Sequence, residues 1–293
     1  MRVIAFIVCV FLCHPVFAGD VEMRTYRNIS YTDNTRDNRS QLLDIYCPPH
    51  ETERQKPVVI FVHGGGWAAG DKGEKAHVAK RDFFVRHDMV FVSINYRMAP
   101  RYSFPAYPRD VAAAVSYIID TIAAYGGDPG AVFLSGHSAG GHLAALVSTD
   151  TGYLKANGKD LNAIRGVILI DGAGYNIPKR FEDFGDKKEK KWVRTMYQRA
   201  FGTNPAVWED ASPIRHVRAK GAIPPFLVFY VTGRREAEVQ SREFVSALKN
   251  AEVPAELVPI ENSSHRKINV SFGARSGLKE KMTLDFIDRY RDR

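Results

Sequence analysis

Six short apolar runs recur along the chain, and they decide what it can fold into. They are PVVIFVHG (Pro57 to Gly64), MVFVSINY (Met89 to Tyr96), AVFLSG (Ala131 to Gly136), GVILID (Gly166 to Asp171), PFLVFYVTG (Pro225 to Gly233) and AELVPI (Ala255 to Ile260). Their apolar residues are continuous rather than alternating, as in strands covered on both faces. Helical patterns lie between and after them: Glu74 to His87, Pro108 to Ala124, Ala139 to Thr149, Glu236 to Asn250 and Gly277 to Tyr290. Alternating strands and helices predict an α/β fold, a mostly parallel sheet with helices on both faces. LLDIYCP (Leu42 to Pro48) reads as an antiparallel strand at the start, and the polar stretch from Gly19 to Asn38 as an exposed entry. The 174–224 stretch is too long for an ordinary loop, which predicts a helical, cap-like insertion over the sheet edge.

The first eighteen residues obey a different logic. MRVIAFIVCVFLCHPVFA has one Arg, an apolar run from Val3 to Cys13 and a small-residue exit at Ala18. That pattern predicts a secretory signal, 1–18, cleaved after Ala18 and followed by one domain over 19–293. The apolar run is about half the roughly 20 residues a membrane span requires, and no later segment could span. A secreted or periplasmic location without stable membrane insertion is therefore expected. Two of the three Cys lie in the signal, so Cys47 alone remains and export does not rely on disulfides. The net charge of +8 is concentrated in runs such as KKEKKWVR (Lys187 to Arg194) and RHVRAK (Arg215 to Lys220). Such runs read as solvated surface, and no nucleic-acid motif accompanies them.

One junction carries chemistry. GHSAG (Gly136 to Gly140) stands where a predicted strand ends and a helix begins. A G-x-S-x-G sequence there makes a tight turn that lifts the serine hydroxyl to the C-terminal edge of the sheet. Ser138 is the candidate nucleophile, and the N–H of Ala139, at the head of the helix, can hold an oxyanion. HGGGW (His63 to Trp67) directly follows the first predicted strand, and its glycines let backbone N–H groups face a cavity. Gly65 and Gly66 are the expected donors there, ahead of Gly64.

These stretches, with INYRMAPRYSFPAYPRDVAAAVSYI, WEDASPIRHV and the closing SSH, cover most of Pro57 to His265. The chain resembles α/β-hydrolase-fold serine esterases, the group of hormone-sensitive-lipase-like, kynurenine-formamidase-like and feruloyl or acetylxylan esterases. The resemblance implies the chain order Ser, acid, His. His265, after the last strand, becomes the base. The acid of such enzymes usually lies a few residues past the fifth strand, where this chain reads VTGRREAEVQSREF. Glu236 is the first choice for the acid, with Glu238 next and Asp171, at the end of GVILID, as a further candidate. Tyr96, Arg97 and Asp110 match family positions that hold the loop under the site.

The resemblance and the leader together imply an exported serine carboxylesterase that acts on short acyl or aryl esters, small or attached to a polymer. Deacetylation or deferuloylation of polysaccharide is one such reaction. A formamidase-type amidase is the near alternative, and a non-catalytic binding module the remote one, since Ser138 and His265 are both retained. The residue spacing offers no metal motif such as H-E-x-x-H, so neither metal nor cofactor is expected. Acyl and alcohol specificity and oligomeric state are not written in the sequence.

Overall fold

A computed structural model describes residues 21–33, 39–50, 54–184, 191–219 and 221–292. The expected signal segment lies outside the described residues. The chain runs β1 (Arg24–Ser30), β2 (Leu42–Cys47), β3 (Lys56–Val62), α1 (Val78–Arg86), β4 (Val90–Ile94), α2 (Ala106–Thr121), β5 (Gly127–His137) and α3 (Ala139–Thr149). It continues with α4 (Thr151–Lys155), β6 (Gly166–Ile170), α5 (Ile177–Phe184), α6 (Lys191–Phe201), α7 (Pro205–Asp210) and β7 (Phe226–Val231). The last elements are α8 (Arg235–Asn250), β8 (Ala255–Ile260), α9 (His265–Val270) and α10 (Leu278–Tyr290).

One eight-stranded sheet is formed in the order β1-β2-β4-β3-β5-β6-β7-β8. The strands from β4 to β8 pair in parallel, and β1 and β2 add antiparallel at one edge. The continuous apolar runs are central because both their faces are covered. Along β3, Val58, Ile60 and Val62 point into one core and Val59 and Phe61 into the other. The first core is closed by α2, α3 and α8 through Val111, Leu143 and Phe244. The second is closed by α1, α9 and α10 through Phe84, Ile268 and Phe286. Each such buried side chain stabilises the fold by roughly 1.5–3 kcal/mol.

β1 falls within the stretch expected to be an exposed entry. Its sequence, RTYRNIS, is polar because an edge strand needs only a partial apolar face. The register shifts between Tyr26 and Ile29, where Asn28 adopts φ 57°, a bulge that bends the exposed edge. Between β6 and β7 lie α5, α6 and α7, inside the stretch read as an insertion. Among the described residues no helix is long and apolar enough to cross a membrane.

Beneath the site, Asp110 is buried and accepts from Arg97 Nη2 (2.7 Å), Arg97 Nε (2.9 Å) and Gln41 Nε2 (2.9 Å). Tyr96 donates through its hydroxyl to the carbonyl of His63 (3.1 Å). These contacts fix the chain entering HGGGW to β4 and α2.

Candidate active site

β5 delivers Ser138 to the C-terminal edge of the sheet, and the turn there is strained. Ser138 takes φ 56° and ψ −120°, a region that costs a non-glycine residue on the order of 1–3 kcal/mol. The flanking glycines make the turn possible. A methyl on Gly136 would overlap the Gly140 carbonyl, and one on Gly140 would overlap that of Val62 in β3. The head of α3 therefore packs directly against backbone on both sides.

Ser138 Oγ donates to His265 Nε2 (2.8 Å), and His265 Nδ1–H donates to Asp171 Oδ2 (2.7 Å). His265 is the first residue of α9, whose N-cap is Ser264, with Oγ accepting from Lys267 N (3.2 Å). Its main chain is pinned twice. His137 Nε2–H donates to the carbonyl of His265 (2.9 Å), and buried Lys80 donates to Asn269 O (2.5 Å) and Oδ1 (2.7 Å) one turn later.

The carboxylate brought to His265 is that of Asp171, which corrects the expectation of Glu236. Asp171 directly follows β6, the strand beside β5, and is fully buried. Its Oδ1 accepts from Val231 N (3.0 Å) and its Oδ2 also accepts from Arg234 Nη1. The physical reason lies after β7. Helix α8 begins at Arg235, so Glu236 already lies in the helix, and the residue of the connection that faces His265 is Arg234. Glu236 sits in the first turn of α8, where its charge acts on Tyr197. Glu238 instead pairs with Arg242 (2.9 Å). The residue that reaches the triad from this loop is Arg234, which the sequence reading missed. Its Nη1 lies 2.7 Å from His265 Nδ1 and contacts the same Asp171 oxygen. The compressed spacing TGRRE was its only signal.

Gly65, Gly66 and Ala139 line the same cavity as Ser138 and His265, as does Gly64. Gly65 (φ 110°) and Gly66 (φ 60°) occupy left-handed backbone that glycine adopts without cost. The turn closes through Ala68 N (3.2 Å) and Ala69 N (3.0 Å), which donate to Gly65 O. As the first residue of α3, Ala139 has an N–H without an intrahelical acceptor. The cavity encloses about 770 Å³.

Trp67 anchors the glycine turn. Its Nε1–H donates to His142 Nδ1 (3.2 Å), and His142 Nε2–H donates to the carbonyl of Ala211, after α7 (2.7 Å). The first of these bonds requires a neutral imidazole, and burial lowers the His142 pKa to about 4. Burial likewise lowers His63, His77 (to about 3) and His137, the last also through His265. In the unfolded chain these groups titrate near their ordinary value of 6.5. Between that value and the folded ones, the unfolded state binds more protons, so stability rises with pH. Melting temperature should fall steeply from pH 6.5 toward pH 4. In His142→Phe that slope should be shallower, and at neutral pH the variant should lose about 1–3 kcal/mol, because Trp67 Nε1 is left buried without its acceptor. Thermal melts across pH check both effects, and an unchanged slope would refute the assignment to His142.

Among the described residues, Asp150, Asp210 and His216 place three possible metal ligands within 4.8 Å of one another. Asp150 follows the far end of α3, roughly 18 Å along the helix from Ser138, so this group is separate from the serine.

Comparisons with known proteins bear on the family and the fold. Esterase LipC of Mycobacterium tuberculosis is 31% identical over 80% of this chain and 58% of its own length. The isoprenylcysteine alpha-carbonyl methylesterase of Arabidopsis thaliana is 27% identical over 87% of this chain and 59% of its own. The chain thus matches less than two thirds of the length of these curated relatives. A truncated carbohydrate esterase from gut microbiota superposes with a TM-score of 0.72 at 20% identity, covering 94% of this chain and 99% of that one. Esterase B from Lactobacillus rhamnosis superposes with a TM-score of 0.74 at 20% identity, covering 92% and 85%. The fold is that of the α/β-hydrolases. The family model described as BD-FAE matches residues 43–248, from β2 through most of α8 and including the serine turn. The chain belongs to the BD-FAE family.

Proposed function

We propose that the protein is a carboxylic ester hydrolase that works through Ser138, His265 and Asp171. The observation that carries this reading is the unbroken relay from Ser138 Oγ through His265 to the buried Asp171, beside a glycine turn. His265 accepts the Ser138 proton as Oγ attacks the ester carbonyl, and Asp171 stabilises the imidazolium that forms. N–H groups of Gly65, Gly66 and Ala139 hold the tetrahedral oxyanion. The proton on Nε2 passes to the leaving alcohol, and water, activated by the same imidazole, then releases the acid.

Short acyl and aryl esters fit a cavity of about 770 Å³. An acetyl or feruloyl ester on a polysaccharide is the finer reading. It is supported by exposed Trp192 on the cavity lining, which offers a sugar ring an aromatic face. The apolar first eighteen residues support export. The test is turnover of 4-nitrophenyl esters from acetate to longer chains, with labelling by a 4-nitrophenyl alkylphosphonate. Expected are hydrolysis of the short esters and one covalent adduct on the peptide containing Ser138. A folded protein that neither hydrolyses the series nor takes the label overturns the reading.

A further inference from the structure

The turn that follows β7 acts on Asp171 twice. Val231 N donates to Oδ1 (3.0 Å), and Arg234 Nη1, from the other end of the turn, donates to Oδ2. Arg234 N closes the turn on the Val231 carbonyl (3.3 Å), with Gly233 at φ 83°, a left-handed conformation that suits glycine. The guanidinium is thereby set beside the imidazole, with the same Nη1 2.7 Å from His265 Nδ1. Oδ2 also accepts from Nδ1–H (2.7 Å), so one carboxylate oxygen serves two donors, one of them a permanent cation. Among the described residues, the His265 ring lies within hydrogen-bond distance of Ser138, Asp171 and Arg234 alone.

We infer that Arg234 is a positioning residue that sets the pH range of the reaction. It opposes a proton on His265, so the base stays free for Ser138 in more acidic solution and is a weaker base in alkaline solution. The inference rests on the ester hydrolase reading above and adds to it a residue that acts through His265. Ester hydrolysis places a positive charge on that ring. Asp171 favours the charge, and Arg234, a like charge at contact distance, disfavours it. Asp171 is fully buried and the Arg234 side chain mostly so, which leaves little water or salt to screen the effect. Other titratable and charged groups surround α9: Glu74, Lys75 and His77 before α1, Lys80 on α1, His137 on the serine turn, and Arg266 and Lys267 on α9 itself. Burial holds His77 (to about 3) and His137 below the ordinary imidazole value, so neither changes charge near neutrality. Burial brings Lys80 down to about 7. Lys80 stands unchanged in every variant below, so differences between variants report Arg234.

The experiment is the pH profile of kcat/KM for 4-nitrophenyl acetate, with rates of Ser138→Ala subtracted as background. In Arg234→Met the acid limb should move up by about one pH unit. Below the limb that lowers kcat/KM by up to about tenfold, while above it the variant should match or exceed the parent by a few-fold, so the two profiles cross. Arg234→Lys keeps the charge without the fork and should bring the limb back toward the parent position. Arg234→Gln keeps a donor for Asp171 Oδ2 without the charge. It should behave as Arg234→Met does, and it replaces that variant if Arg234→Met does not fold. A merely structural role gives a different pattern, a rate lowered by one factor at every pH with the limb unmoved. That pattern, a limb moved to lower pH, or a limb moved as far in Arg234→Lys as in Arg234→Met would overturn the inference and leave the esterase reading intact. A folded parent without turnover would overturn the esterase reading. NMR titration of the His265 ring C–H resonances then decides the inference by itself. A midpoint at higher pH in Arg234→Gln than in the parent supports it, and an unmoved midpoint overturns it.

Discussion

Ser138→Ala is expected to lower kcat/KM for a 4-nitrophenyl ester by roughly 10⁵-fold. The variant keeps the cavity, the glycine turn and His265, but it loses the only oxygen hydrogen-bonded to His265 Nε2 among the described residues. Hydrolysis must then use water placed by the oxyanion donors, which retains a residual rate over the uncatalysed reaction. Stability should not fall with activity. Alanine removes one hydroxyl, while the close packing of Gly136 and Gly140 that shapes the turn is untouched. Single-turnover kinetics and a thermal melt on the same sample check the two halves. Activity within tenfold of the parent would show that another group attacks.

Asp171→Asn is the second large effect, with kcat lowered by a factor on the order of 10⁴. The reason is a proton in the wrong place. An amide at position 171 can present its N–H₂ to His265 Nδ1, which moves the ring proton to Nε2, where it can no longer accept from Ser138. Arg234 adds to the damage. Its guanidinium lies 2.7 Å from His265 Nδ1 and shares Asp171 Oδ2 with it. Once the carboxylate charge is gone, that cation faces the forming imidazolium with nothing between them. Arg234→Ala in the Asp171→Asn background should therefore recover part of the rate. Glu236→Gln, by contrast, should change kcat by no more than about threefold, since this half-buried carboxylate on the first turn of α8 does not touch His265. A reversed ranking of Asp171→Asn and Glu236→Gln in the ester assay would move the acid to Glu236.

The contrast between those two acids shows how far the sequence could be read. The central strands were legible because burial on both faces leaves continuous apolar runs: AELVPI is β8, and PVVIFVHG contains all but the first residue of β3. Ser138 and the glycine turn were legible because a backbone that crosses so tightly tolerates few residue types. Strand β1 was not, since an edge strand with Arg24, Arg27 and Asn28 looks like a polar loop. Nor was α9, a short helix announced only by Ser264 before His265. The acid was ambiguous for a spatial reason. β6 and β7 are neighbours in the sheet, so an acid at the end of either can reach the same imidazole. Loop length decides between them, and a loop two or three residues short changes the outcome while leaving the motif almost intact. Asp171 was visible as a polar end to GVILI, but the resemblance placed the acid after the fifth strand and so ranked it behind Glu236.

The bond chain from Trp67 through His142 to the Ala211 carbonyl has a consequence for how such a protein can diversify. One end is the residue just after the glycine turn, and the other is backbone between β6 and β7. The Trp67 ring also packs on Tyr197 (4.9 Å) and Phe201 (4.8 Å) of α6. The segment that lines the cavity beside Ser138 is thus mechanically geared to the backbone donors proposed to bind the developing charge. It is not an interchangeable lid: grafting the corresponding segment of a relative would alter turnover along with selectivity, unless Trp67, His142 and their aromatic partners moved as a set.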